Sequence, residues 1–165
     1  MANPMYGQNK FDNSVDRSIG VVKHHKPASD ETVASPGNTL TNAEAGNVYV
    51  VDISANTAAF VLPSAAISKG AIFTFILSIE SDAEATKDLL VASGSASEYI
   101  MGVGYDGDSV HDTTVADDQI MFDTSGGAAG GGDRLQVICD GSHWYVLQAA
   151  ALTDGAFVSG TATRS

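Results

Sequence analysis

The stretch from Gly132 to Leu147 constrains the fold more than any other part of the chain. Asp140-Gly141 favours the left-handed dihedrals that a two-residue type I′ turn needs at both central positions. With that turn, Cys139 faces Ser142, Val137 faces Trp144 and Leu135 faces Val146. Side chains alternate along a strand, so Leu135, Val137, Cys139, Trp144 and Val146 share one wholly apolar face. The opposite face carries Gln136, Ile138, His143, Tyr145 and Leu147. It is half apolar and suited to solvent or a neighbouring subunit. Trp144, Leu135, Val137 and Val146 are the expected core anchors; sugar stacking is the alternative use of the indole.

Upstream, the chain reads as short strands between turn signals. Asn47–Ile53 follows Gly46, Ala59–Leu62 is stopped by Pro63, and Gly70–Ile79 is the most apolar segment. Further strands are expected at Asp88–Ala92, Glu98–Met101 and Gln119–Phe122. Glycine-rich turns and an absence of helical periodicity predict an all-β protein, an antiparallel sandwich or barrel over residues 41–150. Residues 1–40 are polar, hold three of the four prolines, and read as an extended N-terminal arm. Within them Phe11, Val15 and Ile19 recur every fourth residue, with Val22 following, the spacing of a short amphipathic helix. Residues 151–165 read as a shorter C-terminal arm carrying Phe157 and Val158.

A chain of 165 residues suits one domain with a proper core. Its net charge of −12 argues against duplex nucleic acid and against an anionic membrane surface as partners. The charge is unevenly placed. Residues 1–26 hold four bases (Lys10, Arg17, Lys23, Lys26) and two acids, whereas residues 27–165 hold four bases and eighteen acids. A basic arm on an acidic body is a partner signal. A single cysteine, Cys139, excludes an intrachain disulfide and falls on the predicted core face. Neither a secretory signal nor a membrane span is expected.

Several motifs carry chemistry on paper. Gly102, Gly104 and Gly107 fit GxGxxG after a strand, with Asp123 some distance on, like a dinucleotide fingerprint. The following residues are acidic and β-branched where a pyrophosphate needs a helix N-terminus, so a glycine-rich loop is expected instead. Asp106, Asp108 and Asp112 sit at the first, third and seventh places of a calcium loop, but His111 replaces the glycine at the sixth. A looser site adding Asp117 or Asp118 is the alternative to a solvated acidic loop. His24 and His25 lie between two lysines, and His111 and His143 lack partners at zinc-ligand spacing. Asp140, Ser142 and His143 are consecutive turn residues that cannot reach triad geometry. No enzyme, metal or cofactor is expected.

The chain resembles small virion proteins of tailed phages, particularly marine and cyanobacterial ones. The resemblance rests on Met1 to Lys10, on Ala45 to Asp52, on Leu62-Pro63 followed by Gly70, and on Gly132 to Leu135 leading to Asp140 to Val146. It implies a β-sandwich lobe of a capsid decoration (cement) protein, head fibre or tail fibre, commonly trimeric. The leading expectation is a non-enzymatic decoration protein, made in the host cytoplasm, that bridges capsomers on the outer head surface. Its partners would be the major capsid protein and itself, as a homotrimer. Pro4, Met5, Tyr6 and Phe11 would be apolar anchors on the shell, and Lys10, Arg17, Lys23 and Lys26 would meet acidic patches. The alternative is a receptor- or carbohydrate-binding fibre lobe, with Tyr99, Tyr105 or Tyr145 stacking on sugars.

Overall fold

A computed structural model describes residues 21–78, 87–107, 109–123, 130–151, 153 and 156–164. Its strands are β1 (Val22–His25), β2 (Asn38–Thr39), β3 (Val48–Val51), β4 (Ala58–Val61), β5 (Ile72–Leu77), β6 (Leu89–Ala92) and β7 (Ile100–Met101). They continue with β8 (Val103–Asp106), β9 (Ser109–Asp112), β10 (Gln119–Phe122), β11 (Arg134–Cys139), β12 (Trp144–Ala151) and β13 (Phe157–Gly160). Two sheets pack together as an all-β sandwich. The larger has the order β1-β3-β5-β11-β12-β8-β9, with β7 also on β12; the smaller is β13-β10-β6-β4-β2.

The sheets are mixed rather than antiparallel throughout. From β1 to β6 the chain alternates between the two sheets, one strand in each. Successive strands of one sheet therefore run parallel: β1, β3 and β5 in the larger, β2, β4 and β6 in the smaller. Parallel neighbours need a crossover, usually a helix. Here the crossover is a strand of the opposite sheet. From β10 onward, β10 pairs antiparallel with β6 and β13, and β11 with β5 and β12, whereas β12 runs parallel to β7 and β8.

The inner faces follow the alternation of side chains. Tyr49, Phe73, Phe75, Leu135, Val137 and Trp144 point in from the larger sheet, and Phe60, Leu89, Val91, Ile120, Phe122 and Phe157 from the smaller. Phe60 meets Tyr49 and Phe75 edge-on at 5.2 and 5.0 Å, and Phe73 lies 5.8 Å from Trp144. Aromatic pairs at such distances add about 0.5–1.5 kcal/mol to the burial itself. Trp144, Leu135 and Val137 are fully buried and Val146 packs against them, as expected of the core anchors.

Three sequence expectations change. First, the β11–β12 turn spans Asp140 to His143, with Cys139 opposite Trp144 and Val137 opposite Val146. The Asp140 carboxylate accepts from the Ser142 and His143 amides at 2.7 and 2.8 Å, which favours a longer turn. Among the described residues only glycines have positive φ, so Asp140 does not take the left-handed form that type I′ requires. As far as Val137 the slip is two residues, so these side chains keep their predicted face; a bulge between Gln136 and Val137 then sets Leu135 opposite Ala149, with both still buried. Second, residues 22–39 supply β1 and β2, so the body begins well before residue 41. Third, the expected C-terminal arm carries β13, whose Phe157 fills the core against Phe122.

Gly102 to Asp112 is a β8–β9 hairpin rather than a phosphate loop. Gly104 is required by packing: a Cβ there would sit 2.6 Å from the Phe157 ring.

Candidate interaction face

The two outer faces of the sandwich differ. On the smaller sheet, Ala92, Val61 and Leu90 are packed by Val33 and Ala162 from the chain's own flanking segments. Arg164 fastens the C-terminal segment there. Its guanidinium bonds the buried Asp118 carboxylate and the Ser93 carbonyl, and Asp118 also accepts from the Ala162 amide.

The outer face of the larger sheet carries no such cover among the described residues. Strand register places His24, Val50, Ile76, Arg134, Ala150, Tyr105 and Val110 side by side across seven strands. A second row runs Val22, Val48, Thr74, Gln136 and Gln148, and a third Ile72, Ile138, Tyr145 and Met101. Valine and isoleucine are common on such strands because branched side chains fit a pleated surface. Here they form an apolar surface turned outward. Its most exposed large side chains stand at its two ends, Val22 on β1 at 57% and Tyr105, Val110 and Leu147 on β8, β9 and β12 at 57%, 59% and 51%. A polar stripe crosses the middle. Gln136 donates to Thr74 at 2.9 Å, and the Gln148 amide oxygen accepts from Arg134 Nη2 and Nε at 2.8 and 3.0 Å.

Both edges of this sheet turn charge inward, a device that discourages pairing with another strand. On β1, Lys23 pairs with Glu44 at 2.6 Å, and His25 Nε2 lies 3.2 Å from both Glu31 oxygens. On β9, His111 Nε2 lies 2.7 Å from the buried Asp106, which also accepts from the Phe157 amide. The Lys23 hydrogen bond holds the Glu44 carboxyl below its usual range. Burial pushes Asp52 up, but its bonds from Lys26 and Ser54 outweigh that and hold it down.

These pairs alter the expected partner residues. Lys23 and Lys26 are engaged with Glu44 and Asp52 inside the body, at 2.6 Å each, so the positive charge offered to a partner by this region is reduced. Pro4, Met5, Tyr6, Lys10, Phe11 and Arg17 lie outside the described residues. Of the carboxylates weighed as a calcium loop, Asp108 lies outside the described residues and the others are dispersed: Asp106 faces the core, Asp112 is exposed on β9, and Asp117 accepts from Thr114 and Ser159. Among the described residues no group of three or more His, Cys, Asp or Glu could hold a metal ion. Tyr99 stacks on His143 at 5.1 Å, while Tyr105 and Tyr145 stand on the outer face. Sequence reasoning noted the half-apolar outer side of β11 and β12, but not its extension to Val48, Val50, Tyr105 and Val110. Those residues join it only through the strand order.

The fold and this face define an all-β sandwich with an exposed apolar sheet surface. No protein-family model matches the chain, and no curated protein matches it.

Proposed function

We propose that the protein is a non-enzymatic virion protein that decorates the outer surface of a phage head and bridges capsomers by adding contact area. The observation that carries this reading is the outer face of the larger sheet, a rigid, apolar, nearly uncharged surface suited to another protein rather than to a small substrate. Residues 1–20 balance Lys10 and Arg17 against Asp12 and Asp16, and their Met5, Tyr6 and Phe11 would serve as apolar anchors of an arm laid along the shell, as the resemblance to phage virion proteins implies. In this reading the arm grips the major capsid protein and the body associates as a homotrimer.

Co-sedimentation with purified heads tests it. The full chain should pellet with heads, and a chain lacking residues 1–20 should remain in the supernatant. Equal pelleting of both would remove the arm from the mechanism, and pelleting of neither would remove the shell as partner. A fibre lobe that binds carbohydrate is the second reading, favoured by the exposure of Tyr105 and Tyr145 on one face. Glycan binding lost on Tyr105→Ala would select it.

A further inference from the structure

We infer that the apolar patch formed by Tyr105, Val110 and Leu147 is covered by a second copy of this chain. The inference deepens the reading of the large-sheet face as a contact surface by naming its occupant. Exposed side chains of this size, gathered on neighbouring strands, mark an association site more often than scattered ones do.

Three observations favour a second copy. The partner surface must be largely apolar, with Asp112 beside Val110 left at the rim, because an unpaired charge buried against the patch would be costly. The same sheet carries a matching surface, Val22, Val48, Val50 and Ile76, beyond the stripe of Gln136, Gln148 and Arg134. One chain thus holds both halves of an apolar contact, and pairing unlike patches gives a ring where the rotation between copies closes. The dimensions also suit. Seven strands at ~4.8 Å spacing make a face roughly 30 Å wide, so copies stacked over the whole face would approach the ~800 Å² each partner buries in a stable complex, and a contact through one patch alone about half of that. Finally, the inward-turned Lys23, His25 and His111 disfavour growth through the sheet edges, which leaves the face.

Sedimentation equilibrium of the full chain at roughly 50 µM, where a micromolar contact is filled, tests this directly. The expected mass is a multiple of the 17.0 kDa chain, three for the trimer proposed above. Val110→Lys combined with Leu147→Lys should raise the dissociation constant by ~100-fold or more, since two buried aliphatic side chains are lost. These lysines make the acidic chain less negative, so weaker association would not come from net repulsion. Both sites are exposed, and an unchanged circular dichroism spectrum verifies folding. Val115→Lys, exposed in a turn away from the sheet, should leave the mass unchanged.

A wild-type mass of one chain overturns the inference, as does a double variant that still associates. A mass of two chains upholds the contact and overturns the trimer. If the wild type is monomeric and the double variant loses co-sedimentation with heads, the shell covers the patch: self-association fails and decoration stands. If the wild type associates through the patch but no head binds it, decoration fails and self-association stands.

Discussion

The outer faces of the two sheets are made of similar residues and are treated in opposite ways. Over the smaller sheet, the chain lays its own segments and locks them with Arg164 on Asp118. Over the larger, Val50, Ile76, Tyr105 and Val110 are left uncovered among the described residues. Among the described residues the chain covers one apolar face with its own segments and leaves the other open, and that open face is the one we propose for contact between molecules.

Substitutions on the two sheets should therefore separate stability from association. The reference is the core between them: Trp144→Ala should cost ~3–5 kcal/mol in denaturant unfolding, because the side chain is fully buried. An unchanged midpoint would contradict the packing of β12. Arg164→Ala should come next. It strands the buried Asp118 carboxylate and loosens the cover, for about 2–3 kcal/mol, short of the full cost of breaking a buried pair because Arg164 is partly exposed. Stability equal to wild type would mean that the C-terminal segment does not hold the smaller face.

Acid should act through the edge and loop pairs. Glu44 and Asp52 have depressed carboxyl pKa values in the folded chain, so their contribution is complete above the unfolded values and is lost as pH falls through the folded ones. The melting temperature should drop between about pH 5 and pH 3, and Lys23→Met should flatten that drop. An identical acid profile in the variant would remove the Lys23–Glu44 pair from the account. The smallest effect on folding is expected at the open face. Val110→Lys should change the stability of the dissociated chain by less than about 0.5 kcal/mol. A large loss in dilute solution would make Val110 part of the fold rather than of an interface.

How much of this was legible depended on whether the information was local. Strands β3 to β6, β10 and the β11–β12 hairpin stand out because their alternation and turn residues lie within a few positions. The hairpin keeps its expected faces although its turn differs, since the register slips by two residues as far as Val137 and a bulge absorbs the odd residue beyond it. Strands β1, β2, β8, β9 and β13 were not recognised. They are short edge or near-edge strands, rich in polar residues or glycine, and all but β9, which pairs with the adjacent β8, rely on partners remote in sequence. Val22-Lys23-His24-His25 reads as arm until β3 is placed beside it. The alternation of successive strands between two sheets leaves no periodic mark either, and it is what assembles the open face. Its residues come from seven strands, and no single segment announces it.

The most direct test of that face is hydroxyl-radical footprinting of the intact protein at high and low concentration, read at individual side chains. Tyr105 and Leu147 should be strongly protected in the concentrated sample and freely oxidised in the dilute one, with Val115 equally reactive in both. Equal oxidation of Tyr105 and Leu147 at both concentrations, in a sample shown to be associated, would contradict the assignment of the open face to assembly.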